Sequence, residues 1–169
     1  MAEREKVTMT TTAHPAVSRA RRNTVLAILT THIALSVGLL GDSAGFLAVA
    51  IRRALSDDPA FRDAALQLLS MFALMFGIPL SFLALLTGIT LTLVTKWSLF
   101  RYPWPIAKLC LIVSVILVGA FVLRPVLTGS IQAGDSQLIA GAAWDVAALA
   151  VAVGLAVFKP GHRIGRITT

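Results

Sequence analysis

The sequence predicts an all-α polytopic membrane protein, a bundle of four transmembrane helices. Two observations carry this. Of the 169 residues, 57% are hydrophobic and 14% charged, where soluble domains run about 45–50% apolar and about 25% charged. The apolar residues also lie in four long blocks rather than in amphipathic stripes, so the solvent they expect is lipid. The net charge of +7 sits on basic residues that flank those blocks. No folded domain remains to present a nucleic-acid-binding face, so no nucleic-acid partner is expected.

Residues 1–24 hold Arg4, Lys6, Arg19, Arg21 and Arg22 among several threonines. Too few apolar groups are present to offset ordering entropy, and the segment reads as a disordered basic arm. A transmembrane domain over residues 25–158 comes next, with spans at about 25–51, 66–94, 105–127 and 138–158. Each is close to the roughly 20 residues that cross the hydrocarbon core as a helix. The first span imitates a signal peptide, with Ala48-Val49-Ala50 resembling a cleavage site. It is longer than the about 7–15 residues of a signal-peptide apolar region and contains His32 and Asp42, so an uncleaved span is expected. In the second span, Pro79 removes a backbone donor and should kink the helix near Gly77. Residues 159–169 form a short basic tail.

Lysine and arginine near the span ends set orientation. With the N-terminus inside, the inner side carries Arg4, Lys6, Arg19, Arg21, Arg22, Lys96, Arg101, Lys108, Lys159, Arg163 and Arg166, and the outer side only Arg52, Arg53, Arg62 and Arg124. Both termini are therefore expected in the cytoplasm of a bacterial inner membrane. The loop from Lys96 to Trp104 adds Trp97, Tyr102 and Trp104, aromatic rings suited to the headgroup level.

Helix association in lipid needs close backbone approach, which small residues permit. In the first span Ala27, Thr31, Ala34, Gly38, Gly41, Gly45 and Ala48 form one seam. In the second, Ser70, Ala73, Gly77, Ser81, Ala84 and Gly88 repeat it. The fourth carries Ala140, Ala143, Ala147, Ala150 and Gly154 on one face and Gly141, Asp145, Ala148 and Ala152 on another, so that two of its sides can meet neighbours.

Ionisable side chains in a span cost about 2.5–3.5 kcal/mol on insertion scales, so each asks for a partner or a purpose. Asp42 and Asp145 fall at similar depths below the outer ends of their helices, roughly 10–15 Å at 1.5 Å per residue. Arg124, near the outer end of the third span, can reach inward, and the three are expected to form one outer-leaflet cluster. Three readings stay open: an ion pair that fixes helix register, a proton or ligand site, or an Arg124 that snorkels to the headgroups while the acids stand apart. His32 continues a polar line through Ser36 and Ser43. It reads as an imidazole hydrogen-bonded to a neighbouring helix, or more sharply as an axial haem ligand or proton relay. Lys108 lies in the same leaflet and can snorkel to phosphate. The single cysteine, Cys110, excludes an intramolecular disulfide framework and a multi-cysteine metal site. No phosphate-cradling glycine loop, no paired His and acid at metal spacing and no serine nucleophile with a base beside it is present. No metal site is expected.

His32-Ile-Ala-Leu-Ser36-Val-Gly38 with Gly41, Pro79-Leu-Ser81 with Leu86-Thr87-Gly88, and the Lys96–Trp104 loop running on to Lys108 resemble small four-helix membrane proteins widespread in actinobacteria and known only as domains of unknown function. The resemblance covers residues 25–127. Ser98 and Pro105 depart from the family's aromatic loop. It implies a four-span fold in a bacterial inner membrane and no activity. A more distant similarity, carried by His32 and Lys108 alone, is to four-helix proteins of the copper-resistance and porphyrinogen-oxidase kind. The expectation is a non-enzymatic accessory or small-molecule-handling membrane component without a cofactor. Its partners would be the lipid bilayer and either a second copy or another membrane protein. The alternative is a haem-, porphyrin- or quinone-linked oxidoreductase using His32 and Lys108.

Overall fold

A computed structural model describes residues 16–94, 103–129 and 134–158. Among these residues every regular element is helical. The first span is one helix, α1 (Ala16–Ala54). The second comprises α2 (Pro59–Met71), a π-helical stretch over Phe72–Gly77, and α3 (Ile78–Val94). The third comprises α4 (Pro103–Val118), a second π-helical stretch over Gly119–Leu123, and α5 (Arg124–Leu127). The fourth is α6 (Asp135–Phe158). Four helices, Arg19–Ala54, Pro59–Val94, Trp104–Leu127 and Asp135–Ala156, are long and apolar enough to cross a membrane. The chain is a multi-pass integral membrane protein.

The spans run longer than their apolar blocks. α1 begins at Ala16, so the stretch from Ala16 to Thr24, expected to belong to a disordered arm, is helical. α2 begins at Pro59, well before the apolar run, because Asp58 caps it: its Oδ1 accepts from Ala60 N at 3.0 Å, and Pro59 occupies the first helical position. Residues 95–102, which hold most of the aromatic loop, the first fifteen residues, residues 130–133 and the basic tail lie outside the described residues.

Both π-helical stretches have the same cause. Ile78 N–H bonds to the Ala73 carbonyl and Arg124 N–H to the Gly119 carbonyl, each reaching back five residues, and each donor immediately precedes a proline. A proline ring clashes with the carbonyl four residues earlier. Those carbonyls, of Met75 and Phe121, lie inside the widened turns, which accommodate Pro79 and Pro125 without breaking the helix. The distortion expected near Gly77 thus takes the form of a π turn, and a second one accompanies it in the third span.

The helices form a ring in which α1 packs against both the second span and α6, and α6 against α4. The core divides into two apolar clusters. One, nearer the α1–α2 loop, joins Phe46, Ala50, Leu69, Leu123, Val126, Leu138 and Ala142. The other joins Leu39, Val115, Ala148 and Leu149. Of the expected small-residue seams, the second span's is inward, with Ser81 and Ala84 buried, and so is the Gly141, Asp145, Ala148 face of α6. The first span's seam is split: Gly38 and Gly45 stand against Leu80 and Phe72 of the second span, whereas Ala27, Thr31, Ala34, Gly41 and Ala48 are exposed, and α1 also turns Leu39, Ser43, Phe46 and Ala50 inward. Ala140, Ala143, Ala147 and Ala150 of α6 are exposed too, so α6 packs through one of its two small-residue faces.

Candidate functional site

Between the two apolar clusters lies a polar seam formed by two carboxylates, one on α1 and one on α6. Asp42 stands on α1 between Leu39 of one cluster and Phe46 of the other. Asp145 stands on α6 between Ala142 and Ala148. Gly119 falls between Val115 and Leu123 on the third span, and Gly77 between Ala73 and Leu80 on the second. Both π-helical stretches fall at this level; Gly77 stands beside Asp42, whereas a β-carbon on Gly119 would have nothing within 4 Å.

Asp42 is partly buried, and its Oδ2 lies 3.3 Å from the point where a β-carbon on Gly77 would stand. A β-carbon there would make the carboxylate give way by a few tenths of an ångström. Asp145 is 7% exposed. Gly141, one turn before it on the same face, is pressed against the third span so closely that a β-carbon would stand 2.7 Å from Leu123 Cδ2. One position earlier than Asp145, Trp144 donates from Nε1 to Ser114 Oγ at 3.3 Å. These contacts hold Asp145 against the α4 side of the bundle. Neither Asp42 Oδ1 nor Asp145 Oδ1 has a hydrogen-bond partner among the described residues. A carboxylate in that state would be costly in an apolar interior.

Arg124 does not join the acids. Its side chain is exposed, and among the described residues no ion pair connects it to Asp42 or Asp145. The ion pairs that do form lie at the α1–α2 end and centre on Asp135, at the start of α6. Asp135 pairs with Arg53 through Oδ1 and with Arg62 at 2.7 Å through Oδ2. Arg53 Nε donates to the Arg62 carbonyl at 3.1 Å, and Arg62 Nη1 to the carbonyls of Arg53 at 3.1 Å and Ser56 at 3.3 Å. Three helix ends are thereby clamped. The sequence alone does not single out Asp135, because an acid in the first turn of a helix reads only as a dipole partner.

His32 lies farther along α1, partly buried against the second span. Its Nδ1 is 2.9 Å from Thr87 Oγ1. Its Cε1 stands 3.1 Å from where a β-carbon on Gly88 would be. The polar line continues as expected, since Ser36 Oγ donates to the His32 carbonyl at 2.8 Å and Ser43 is buried. Lys108 stands on α4, its Nζ 5.9 Å from the centre of the Trp104 ring. The structure keeps Arg124 from the acids and seats His32 against Thr87 and Gly88 of the second span. Cys110 is exposed. Among the described residues no three His, Cys, Asp or Glu side chains converge as a metal-binding group.

No curated protein and no solved structure matches the chain. A family model described as a predicted integral membrane protein, DUF2269, matches residues 26–158. That match covers all four spans and most of the sequence, and the chain belongs to this family of integral membrane proteins of unknown function.

Proposed function

We propose that the protein is a non-enzymatic component of the bacterial inner membrane, with both termini cytoplasmic, that handles a small solute within its helix bundle. The observation that carries this reading is the polar seam: two carboxylates, each with an unbonded oxygen, set between two apolar clusters at mid-bundle. Intramembrane acids of this kind are expensive and mark solute or proton routes. An accessory role beside a second copy or another membrane protein is supported by the exposed small-residue faces of α1 and α6, since such faces let helices approach closely in lipid. The test is purification of the full chain from membranes in mild detergent, followed by native mass spectrometry. A stoichiometric partner supports the accessory role. A bare monomer that carries no solute and does not respond to solute or pH counts against the reading.

A haem-, porphyrin- or quinone-linked oxidoreductase using His32 and Lys108 is the second reading, supported by the hydrogen bond that fixes the His32 ring. An imidazole oriented through its Nδ1 by Thr87 is the kind of arrangement that fixes a ligand ring. A Soret band lost on His32→Ala supports this second reading. A colourless protein removes its haem and porphyrin forms.

A further inference from the structure

We propose that Asp145 is a proton-binding site inside the bundle, so that the solute handled at the polar seam is the proton. This rests on the reading of the seam as a solute site and names its ligand. Asp145 is more than nine-tenths buried, sits mid-way along a membrane-spanning helix and leaves Oδ1 without a hydrogen-bond partner among the described residues. An ionised carboxylate so placed would lack both water and a countercharge, whereas the acid form carries no net charge into the bilayer.

The charged and titratable groups on the elements packed against α6 supply no countercharge. On α1 these are Arg19, Arg21, Arg22, His32, Asp42, Arg52 and Arg53; Arg19, Arg21 and Arg22 stand at its far end, where Arg21 donates to the Val94 carbonyl, Arg53 is committed to Asp135, and Arg52 lies over the Phe61 ring at 5.5 Å. On α2 stand Asp63, an acid, and Arg62, which is also committed to Asp135. α4 brings Lys108 and Cys110, and Arg124, where α5 begins, is exposed. Among the described residues none of them forms an ion pair with Asp145.

The choice between a proton and a metal cation turns on coordination. A hard cation such as sodium or calcium needs several oxygens around it, and among the described residues no three His, Cys, Asp or Glu side chains converge to supply charged ones. A proton needs one oxygen. Asp42, at the same level of the bundle and resting on Gly77, is a second carboxylate able to take a proton.

The test is carbodiimide labelling of the wild-type full chain in liposomes. Dicyclohexylcarbodiimide is apolar and adds across a protonated carboxyl group, giving a stable N-acylurea with no group lost. Peptide mass spectrometry should find the adduct on Asp145, with a labelling rate that falls about tenfold per pH unit above the group's midpoint. The rate should not change when sodium replaces choline in the buffer. A water-soluble carbodiimide with an added amine should label the exposed Asp57 of the α1–α2 loop and Asp63 in the first turns of α2 and serves as the positive control. Absence of adduct at Asp145 while the control succeeds overturns the proposal, and so does an adduct whose rate does not depend on pH. Protection by sodium overturns it as well, but leaves the seam as a cation site and the broader reading intact. Asp145→Asn should abolish the adduct and Asp145→Glu restore it. If neither variant folds, the wild-type pH profile still decides.

Discussion

The Asp42 carboxylate rests on Gly77, its Oδ2 3.3 Å from the place a β-carbon would occupy on that glycine. Gly77 closes the π-helical stretch that precedes Pro79, so the widened turn, the proline and the acid form one local unit. The Phe72 carbonyl, 3.7 Å from the same point, bounds it on the other side.

A larger side chain at position 77 should therefore strain this unit. Gly77→Leu is expected to lower stability by about 1–3 kcal/mol, the usual cost of overpacking. Asp42→Ala should relieve part of that cost, giving a coupling of at least about 0.5 kcal/mol in a double-mutant cycle. Unfolding midpoints in detergent measure it. Additive effects would mean that the carboxylate does not rest on the glycine in the membrane.

Asp135 holds two arginines from the ends of two other helices. Asp135→Ala would remove both charge-assisted bonds and leave the guanidiniums of Arg53 and Arg62 side by side. A loss of about 2–4 kcal/mol is expected, the range for breaking a partly buried pair on one side. Asp135→Glu should recover part of it. Because the cluster is only partly exposed, moderate salt should change the result little. A variant as stable as wild type would show that the clamp does not hold the helix ends.

Topology is set by the four spans and by the surplus of Lys and Arg on one side. Reporter fusions after residues 60, 100 and 132 and at the C-terminus should read outside, inside, outside and inside. Any other alternation would reverse the orientation or change the number of crossings.

The number and order of the spans are legible in the sequence because bulk hydropathy alone decides them. The helical start at Ala16 is not, since Arg19, Arg21 and Arg22 are charged and break the hydropathy signal yet are strong helix formers, and extending an existing helix needs no new nucleus. The places of Asp42 and Asp145 along their helices are legible from the order of the spans. Which side chains they meet is not, because direction around the axis depends on counting turns. The π turn over Gly119–Leu123 adds a residue to the count, and an added residue rotates the remainder of the helix by about 100°. Arg124 comes directly after that turn.

Arg124 therefore separates two accounts of the bundle. If it neutralised Asp42 and Asp145, its removal would strand two buried acids and cost about 3–5 kcal/mol. In the structure its side chain is exposed and, among the described residues, no ion pair ties it to either acid. Its carbonyl, which accepts from Thr128 N at 2.9 Å to close α5, is untouched by substitution of the side chain. The same short turn ends at Gly129, whose φ of 69° suits glycine. Arg124→Ala should then change stability by less than about 0.5 kcal/mol, as at an ordinary exposed position. Gly129→Val should cost about 1–2 kcal/mol through backbone strain alone. Thermal unfolding of the two variants in one detergent compares them directly. An Arg124→Ala loss larger than that of Gly129→Val would restore the arginine to the acids and remove the argument that Asp145 stands without a countercharge.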